Sequence, residues 1–304
     1  MAEAISKDKP QNKQETRFEF NSYTCPEDQT RIRYGTIGFE ENPNHVLIFL
    51  PGRSEWIEKY EFLYEDICEE RGWGYLSIDH RGQGASGGKA AHVDNYDLFV
   101  RDVEKIIKRE LKKGKTYSIL AHSMGGLISL YGVLKGVLKP EKLSLSAPLL
   151  GLPQKPIPRV LALPLAIKMC KWGFSKTDTA FGRHEIIPYT FNKLTTDRAK
   201  YKLIQNSPYK IPGPTFGWVK ASFKATTFIF HDSNIGKLSC PVQIQLGSRE
   251  GVVDPKSIEK WVDLAQKIAP KPVSLHIVKG AKHELLFEAE TFYNEVLENV
   301  NRFL

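Results

Sequence analysis

Ala121-His122-Ser123-Met124-Gly125-Gly126 joins an apolar strand that ends at Leu120 to an apolar helix that starts near Leu127. A serine on a strained strand-to-helix turn needs small residues two positions to either side, because the chain doubles back around it; Ala121 and Gly125 meet that need. Ser123 Oγ then stands clear of the sheet's carboxyl edge, and the N-terminus of the following helix favours developing negative charge. A plain serine N-cap in a glycine-rich turn fits the same six residues. Partners elsewhere in the chain decide between the two readings.

Upstream, Arg17 to Phe20 and Thr30 to Gly38 alternate as an opening antiparallel pair around a turn at Pro26 to Gln29. His45 to Leu50, a helix-like Lys59 to Glu70 and Gly74 to Ile78 form a β-α-β unit. A helix over Asn95 to Lys112 follows, with an apolar stripe at Leu98, Val103, Ile106 and Ile107. Next come a strand over Thr116 to Leu120, a helix from Met124 to about Lys135 and a strand over Lys142 to Ser146. The alternation stops near Pro148. It resumes with Val242 to Leu246, a helix from Pro255 to Ile268, Val273 to Val278 and a closing helix from Glu288 to Phe303. This pattern predicts an α/β fold: a mostly parallel sheet with helices on both faces. The expected organisation is a flexible polar tail over residues 1–16, a core over 17–147 and 237–304, and a cap insertion over 148–236. Eight prolines, Pro153, Pro156, Pro158, Pro164, Pro188, Pro208, Pro212 and Pro214, predict short helices joined by loops in that insertion.

A serine nucleophile needs a base, and the base needs an orienting carboxylate. On such a sheet these follow in the order serine, acid, histidine, each in a loop after a later strand. His283 lies just past the strand ending at Val278. Asp254 lies in Ser248-Arg249-Glu250-Gly251-Val252-Val253-Asp254-Pro255, after the Val242 to Leu246 strand. Asp254 is the expected acid, with Asp232 and Glu250 as rivals. His45, His92, His184, His231 and His276 read as structural or solvated, and His122 should point away from the nucleophile. An oxyanion hole needs two backbone N–H donors. Met124, directly after the serine, is one candidate. Arg53, after Pro51-Gly52, is the other.

The chain has 304 residues, 41% hydrophobic and 26% charged, which suits one large core or a core with a smaller insertion and excludes disorder, collagen and coiled coil as overall descriptions. Its longest apolar runs, such as Val46 to Leu50 and Val160 to Ile167, are far shorter than the roughly 20 residues of a membrane-spanning helix. The polar start lacks the apolar core of a secretory signal, so a cytoplasmic location is expected. Cys25, Cys68, Cys170 and Cys240 show no C-x-x-C spacing and read as reduced structural residues. The net charge of +8 is unevenly placed: residues 148–225 hold 13 basic and 3 acidic residues, so the excess belongs to the insertion. There, Val160 to Ile167 lies between Arg159 and the pair Lys168 and Lys171, a composition suited to an anionic bilayer surface. A solvated basic face over an apolar underside is the alternative. No interleaving of basic and aromatic residues points to nucleic acid.

Phe49-Leu50-Pro51-Gly52-Arg53, Asp79-His80-Arg81-Gly82-Gln83-Gly84 with Ser86, the Ser123 turn, Val252-Val253-Asp254 and Gly280-Ala281-Lys282-His283-Glu284 occur in this order. Together they resemble the α/β-hydrolase family of monoacylglycerol lipases and lysophospholipases, nearest to the bacterial membrane-associated lysophospholipases. Gly213-Pro214-Thr215 with Trp218-Val219 extends the resemblance into the insertion. Many members have His-Gly where this chain has Pro51-Gly52, and Gly where it has Ala121. The resemblance implies that Ser123 attacks an ester carbonyl, His283 moves the proton, Asp254 holds the imidazole, and water cleaves the acyl-enzyme. It implies no metal or organic cofactor. The substrate it implies is a single-chain lipid ester, a lysophospholipid before a monoacylglycerol. Alternatives are a general carboxylesterase or peptidase on the same fold, and, from another class, a non-catalytic lipid-binding protein.

Overall fold

The structure is a computed structural model that describes residues 16–152, 158–179, 187–209 and 211–304. The strands are β1 (Glu19–Thr24), β2 (Arg31–Ile37), β3 (His45–Leu50), β4 (Gly74–Ile78), β5 (Thr116–His122), β6 (Leu143–Ser146), β7 (Val242–Gly247) and β8 (Val273–Val278). The helices are α1 (Tyr96–Glu110), α2 (Ser123–Leu134), α3 (Arg159–Lys171), α4 (Arg198–Gln205), α5 (Phe216–Ile229), α6 (Asp232–Ile235), α7 (Pro255–Ile268) and α8 (Glu290–Phe303). The strands form one sheet in the order β1-β2-β4-β3-β5-β6-β7-β8. β1 pairs antiparallel with β2, and β2 with β4; every later pairing is parallel.

Strand β3 shows why the sheet is covered on both faces. Its side chains alternate by direction, so Val46, Ile48 and Leu50 enter one apolar cluster with α1, α2 and α7, while Leu47 and Phe49 enter a second with residues 57–68 and α8. All five are at most 2% exposed, which the continuous apolar run of a central parallel strand requires. The first helix after β4 begins where the sequence places it: the Asn95 side chain accepts from the Leu98 N–H as an N-cap.

Two expectations change. The segment expected as one helix over Lys59 to Glu70 is a 3-10 turn at Ile57–Tyr60, a wide π turn at Tyr64–Cys68 and a second 3-10 turn at Glu69–Arg71. Apolar spacing correctly marks Tyr60, Leu63, Tyr64, Ile67 and Cys68 as the buried side. It carries no information on hydrogen-bond register, and here the Ile57 N–H is taken by Asp79 Oδ1 while Lys59 is drawn into a buried ion cluster. In α3, Pro164 sits inside the helix instead of ending it. Between β6 and β7 lie α3 to α6; α4 and α6 are short, at 8 and 4 residues, but α3 and α5 run to 13 and 14 residues, so the prolines do not limit this segment to short helices. The segment expected as a polar tail lies, apart from Thr16, outside the described residues, as do Pro153, Pro156 and His184. All four cysteines are free thiols.

Candidate active site

Strand β5 runs two residues beyond its apolar run, and α2 starts at Ser123 itself, so the serine occupies the corner. Its φ is +49°, a left-handed conformation that costs a non-glycine residue and that the surrounding packing holds. Gly125 is required by close approach: a Cβ there would meet the Leu50 carbonyl oxygen at 2.1 Å and the Pro51 oxygen at 2.7 Å. The Ser123 turn is thus pressed against the end of β3, which carries the Pro51-Gly52-Arg53 loop.

His283 Nε2 lies 3.1 Å from Ser123 Oγ, and His283 Nδ1 lies 2.7 Å from Glu250 Oε2. The carboxylate on the histidine is therefore Glu250, where the sequence favoured Asp254. Glu250 is held from behind, its Oε1 accepting the N–H groups of Val252 and Val253 at 2.6 and 3.1 Å. Asp254 belongs to α7: it stands at the N-cap before Pro255, and its Oδ2 accepts from Ser257 Oγ at 2.7 Å. Asp232 opens α6 at the surface. Both Glu250 and Asp254 follow β7, so chain order could not separate them. What separates them is that the chain turns at Gly251 and enters a helix by Pro255, which directs the second carboxylate to the helix's own first turn.

The electrostatics fit this pairing. Burial works to raise the Glu250 carboxyl, but the charge and hydrogen bond of His283 and the two backbone donors hold it below the ordinary value. Burial works to lower His283, and Glu250 overcomes it through charge and hydrogen bonding, with further support from Glu284 and Glu55; the net shift is upward. His122 is pushed down to about 3, first by burial, and is neutral at pH 7. Its Nδ1 donates to the Ser146 carbonyl at 3.1 Å. The side chain does not stand clear of the site, since its ring centroid is 4.7 Å from that of His283. His45, His92, His231 and His276 bond to Thr116, Thr215, Ser233 and Glu295 respectively, in keeping with structural roles.

Arg53 and Met124, the two expected oxyanion donors, line one cavity with Ser123 and His283. The loop around Arg53 is held on both sides: Gly52 N–H donates to Glu55 Oε2 at 2.5 Å, and Ser54 N–H to Gln83 Oε1 at 2.7 Å. The cavity measures about 630 Å³ and has mainly apolar walls, among them Leu165 of α3, Ile204 of α4, and Trp218, Val219 and Phe223 of α5. That volume lies within the roughly 300–1,000 Å³ of small-molecule sites. Glu55, His122 and Glu284 bring metal-ligand atoms within 4.8 Å of one another. Lys59 Nζ already bridges the two carboxylates at 2.5 Å each and supplies the positive charge there.

The family model described as serine aminopeptidase, S33 (Hydrolase_4) matches residues 41–290. The chain belongs to this family. Among curated proteins, the probable lysophospholipase L2 of Haemophilus influenzae is 30% identical over 273 residues, spanning 85% of this chain and 83% of its own. Lysophospholipase L2 of Escherichia coli is 29% identical over 287 residues, spanning 86% and 81%. Among solved structures, a soluble variant of monoglyceride lipase from Saccharomyces cerevisiae, in complex with a substrate analogue, superposes with a TM-score of 0.75 at 19% identity, covering 97% of this chain and 98% of its own. A thermostable carboxyl esterase from Bacillus coagulans, in complex with glycerol, gives 0.78 at 16%, covering 95% and 98%. The α/β-hydrolase fold expected from the sequence is therefore the fold of this S33-family chain.

Within this family member, sequence reasoning missed three groups at the site: Glu55, Lys59 and Glu284. The signal available was Glu284 beside the histidine and Glu55 with Lys59 at a spacing of four, which reads equally well as a solvated charged face. Only their burial, at 4%, 7% and 5% exposure, sets them apart.

Proposed function

We propose that the protein is a serine hydrolase that cleaves the carboxylic ester of a single-chain lipid, a lysophospholipid first and a monoacylglycerol second. The observation that carries this reading is the Ser123–His283–Glu250 relay opening into one apolar cavity. Ser123 Oγ attacks the ester carbonyl while His283 Nε2 accepts its proton; Glu250 stabilises the resulting imidazolium. The N–H groups of Arg53 and Met124 stabilise the tetrahedral oxyanion. His283 returns the proton to the leaving alcohol, then activates the water that releases the fatty acid. Segment 148–236 acts as the cap, its helices α3 to α5 holding the acyl chain.

The peptidase alternative is disfavoured by the charges in the cavity. An aminopeptidase needs a carboxylate for the substrate's ammonium group, and among the described lining residues Glu55 and Glu284 are both engaged by Lys59. Fatty-acid release from lysophosphatidylcholine, lysophosphatidylethanolamine and monoolein, set against p-nitrophenyl esters and aminoacyl amides, tests the assignment. Turnover confined to aminoacyl amides overturns it.

The cap is also the surface we assign to membrane contact. Among the described residues, nine of eleven exposed large apolar side chains lie there, including Val160, Leu161, Trp172 and Phe191 at 78%, 61%, 61% and 73% exposure. Lys168 and Lys171 stand in the last turn of α3, and each basic residue that reaches an anionic bilayer adds about 1 kcal/mol. No described helix is long and apolar enough to cross a membrane. Co-sedimentation with vesicles tests the contact: it should require anionic lipid and weaken with salt, and binding indifferent to both rejects it.

A further inference from the structure

The proposed relay leaves unused a group of buried charges directly behind it. Lys59 Nζ lies 2.5 Å from Glu55 Oε1 and 2.5 Å from Glu284 Oε2. Tyr60 OH donates to Glu55 Oε1 at 2.5 Å and lies 3.1 Å from Glu284 Oε2. Burying two carboxylates and one ammonium is expensive, and hydrophobic residues of similar volume often serve a fold as well or better. The arrangement therefore needs a reason beyond stability.

Its connections supply one. Glu55 Oε2 accepts the Gly52 N–H, which fixes the loop bearing Arg53; that loop lies against the nucleophile, since a Cβ on Gly52 would meet Ser123 Cβ at 3.1 Å. Glu284 directly follows His283, and its N–H donates to the Leu194 carbonyl at 2.8 Å. Lys59 thus ties the loop after β3 to the loop after β8, across 225 residues of sequence, at the two places from which the oxyanion donor and the base arise. With two carboxylates to one ammonium, the group also carries a net negative charge beside the histidine.

We propose that Glu55, Lys59 and Glu284 form a positioning device that locks the oxyanion loop to the histidine loop and places a net negative charge behind the His283 imidazole. None of the three touches the substrate's reacting atoms; they act through Gly52 and His283. The proposal rests on Ser123 and His283 being nucleophile and base. Several groups face His283: Glu250 from the loop after β7, His122 from β5, Glu55 and Lys59 from the segment after β3, and its neighbours Lys282 and Glu284. Lys193, from the segment between β6 and β7, accepts the His283 N–H with its backbone carbonyl. Of these, Glu284 and Glu55 support the imidazolium next after Glu250.

The test is the pH dependence of covalent labelling by a fluorophosphonate, whose rate needs a neutral His283, together with steady-state kinetics on a soluble p-nitrophenyl ester. Glu284→Gln and Glu55→Gln remove one negative charge each and should move the acid limb down by about one pH unit. Lys59→Met should move it up, and the double variant Lys59→Met/Glu284→Gln, with the original net charge, should return it towards wild type. Should Lys59→Met fail to fold, the two single glutamine variants and the double variant carry the test. Glu55→Ala, which also frees the Gly52 N–H, should lower kcat by about tenfold with KM within twofold, since the oxyanion loop acts in the transition state. An acid limb that stays in place in both glutamine variants, or a loss in Glu55→Ala expressed wholly in KM, overturns the proposal. Labelling that persists in Ser123→Ala would instead overturn the nucleophile on which it rests.

Discussion

The sheet core and the segment between β6 and β7 solve the problem of apolar surface in opposite ways. In the core, strands such as β3 bury every apolar side chain, and only Phe20 and Ile277 count among the exposed large apolar residues described. Several buried charges there are paired, as in Arg81 with Asp102 at 2.7 Å and Arg33 with Asp79 at 2.6 Å. Between β6 and β7, by contrast, α3 presents Val160 and Leu161 to solvent within a stretch rich in uncompensated lysine and arginine. This surface, apolar and cationic together, is the one proposed above for membrane contact.

That contrast can be broken most sharply at the junction of the two regions. Ser123→Ala should remove ester turnover by several orders of magnitude, about 10⁶-fold where nucleophile, base and acid act as a unit, while the thermal midpoint stays close to wild type. Near-normal hydrolysis by that variant would dissociate the nucleophile turn from the chemistry. Next in size is the choice of acid. Glu250→Gln should depress kcat by about 10³–10⁴, since it disturbs the tautomer and charge support of His283, whereas Asp254→Asn should change kcat only a few-fold. The reverse order would return the role to Asp254.

Stability measurements sharpen the comparison itself. Ile48→Ala in β3 should cost about 2–5 kcal/mol in chemical denaturation. Leu161→Ser in α3 should fall within about 0.5 kcal/mol of wild type and yet weaken sedimentation with anionic vesicles. A large loss of stability in Leu161→Ser would make α3 a packing element of the same kind as the core.

The smallest expected effect is in pH. The folded-state value of His283 is raised above the ordinary 6.5, Glu250 outweighing burial. The stabilisation that goes with this is fully present below the unfolded value and declines as pH rises through the folded one. Activity runs the other way, because the base must be neutral, so the acid limb of kcat/KM should lie above pH 6.5. A limb below 6.5 would mean that burial outweighs Glu250.

Much of this molecule is written in local pattern. Alternation in the opening pair, short apolar runs in the later strands and period-3.6 spacing in α1, α2, α7 and α8 placed these elements within a few residues, because burial is a local demand on sequence. The small residues around Ser123 marked the tight strand-to-helix turn for the same reason: close approach of backbone excludes side chains there, as Gly125 against Leu50 shows. His283 was legible from its place after the last strand. The segment after β3 was less so, since apolar spacing marks a buried side without specifying whether the turns are α, 3-10 or π.

Only the tertiary structure decided which carboxylate serves His283. Glu250 and Asp254 are four residues apart after the same strand, and the difference lies in where the chain turns at Gly251 and enters α7 at Pro255: Glu250 reaches His283, while Asp254 stays at the helix N-cap. It alone also assembled Glu55, Lys59 and Glu284, because the value of a charge depends on its dielectric surroundings and its partners. Those partners come from opposite ends of the sequence, brought together where β3 and β8 end on one edge of the sheet.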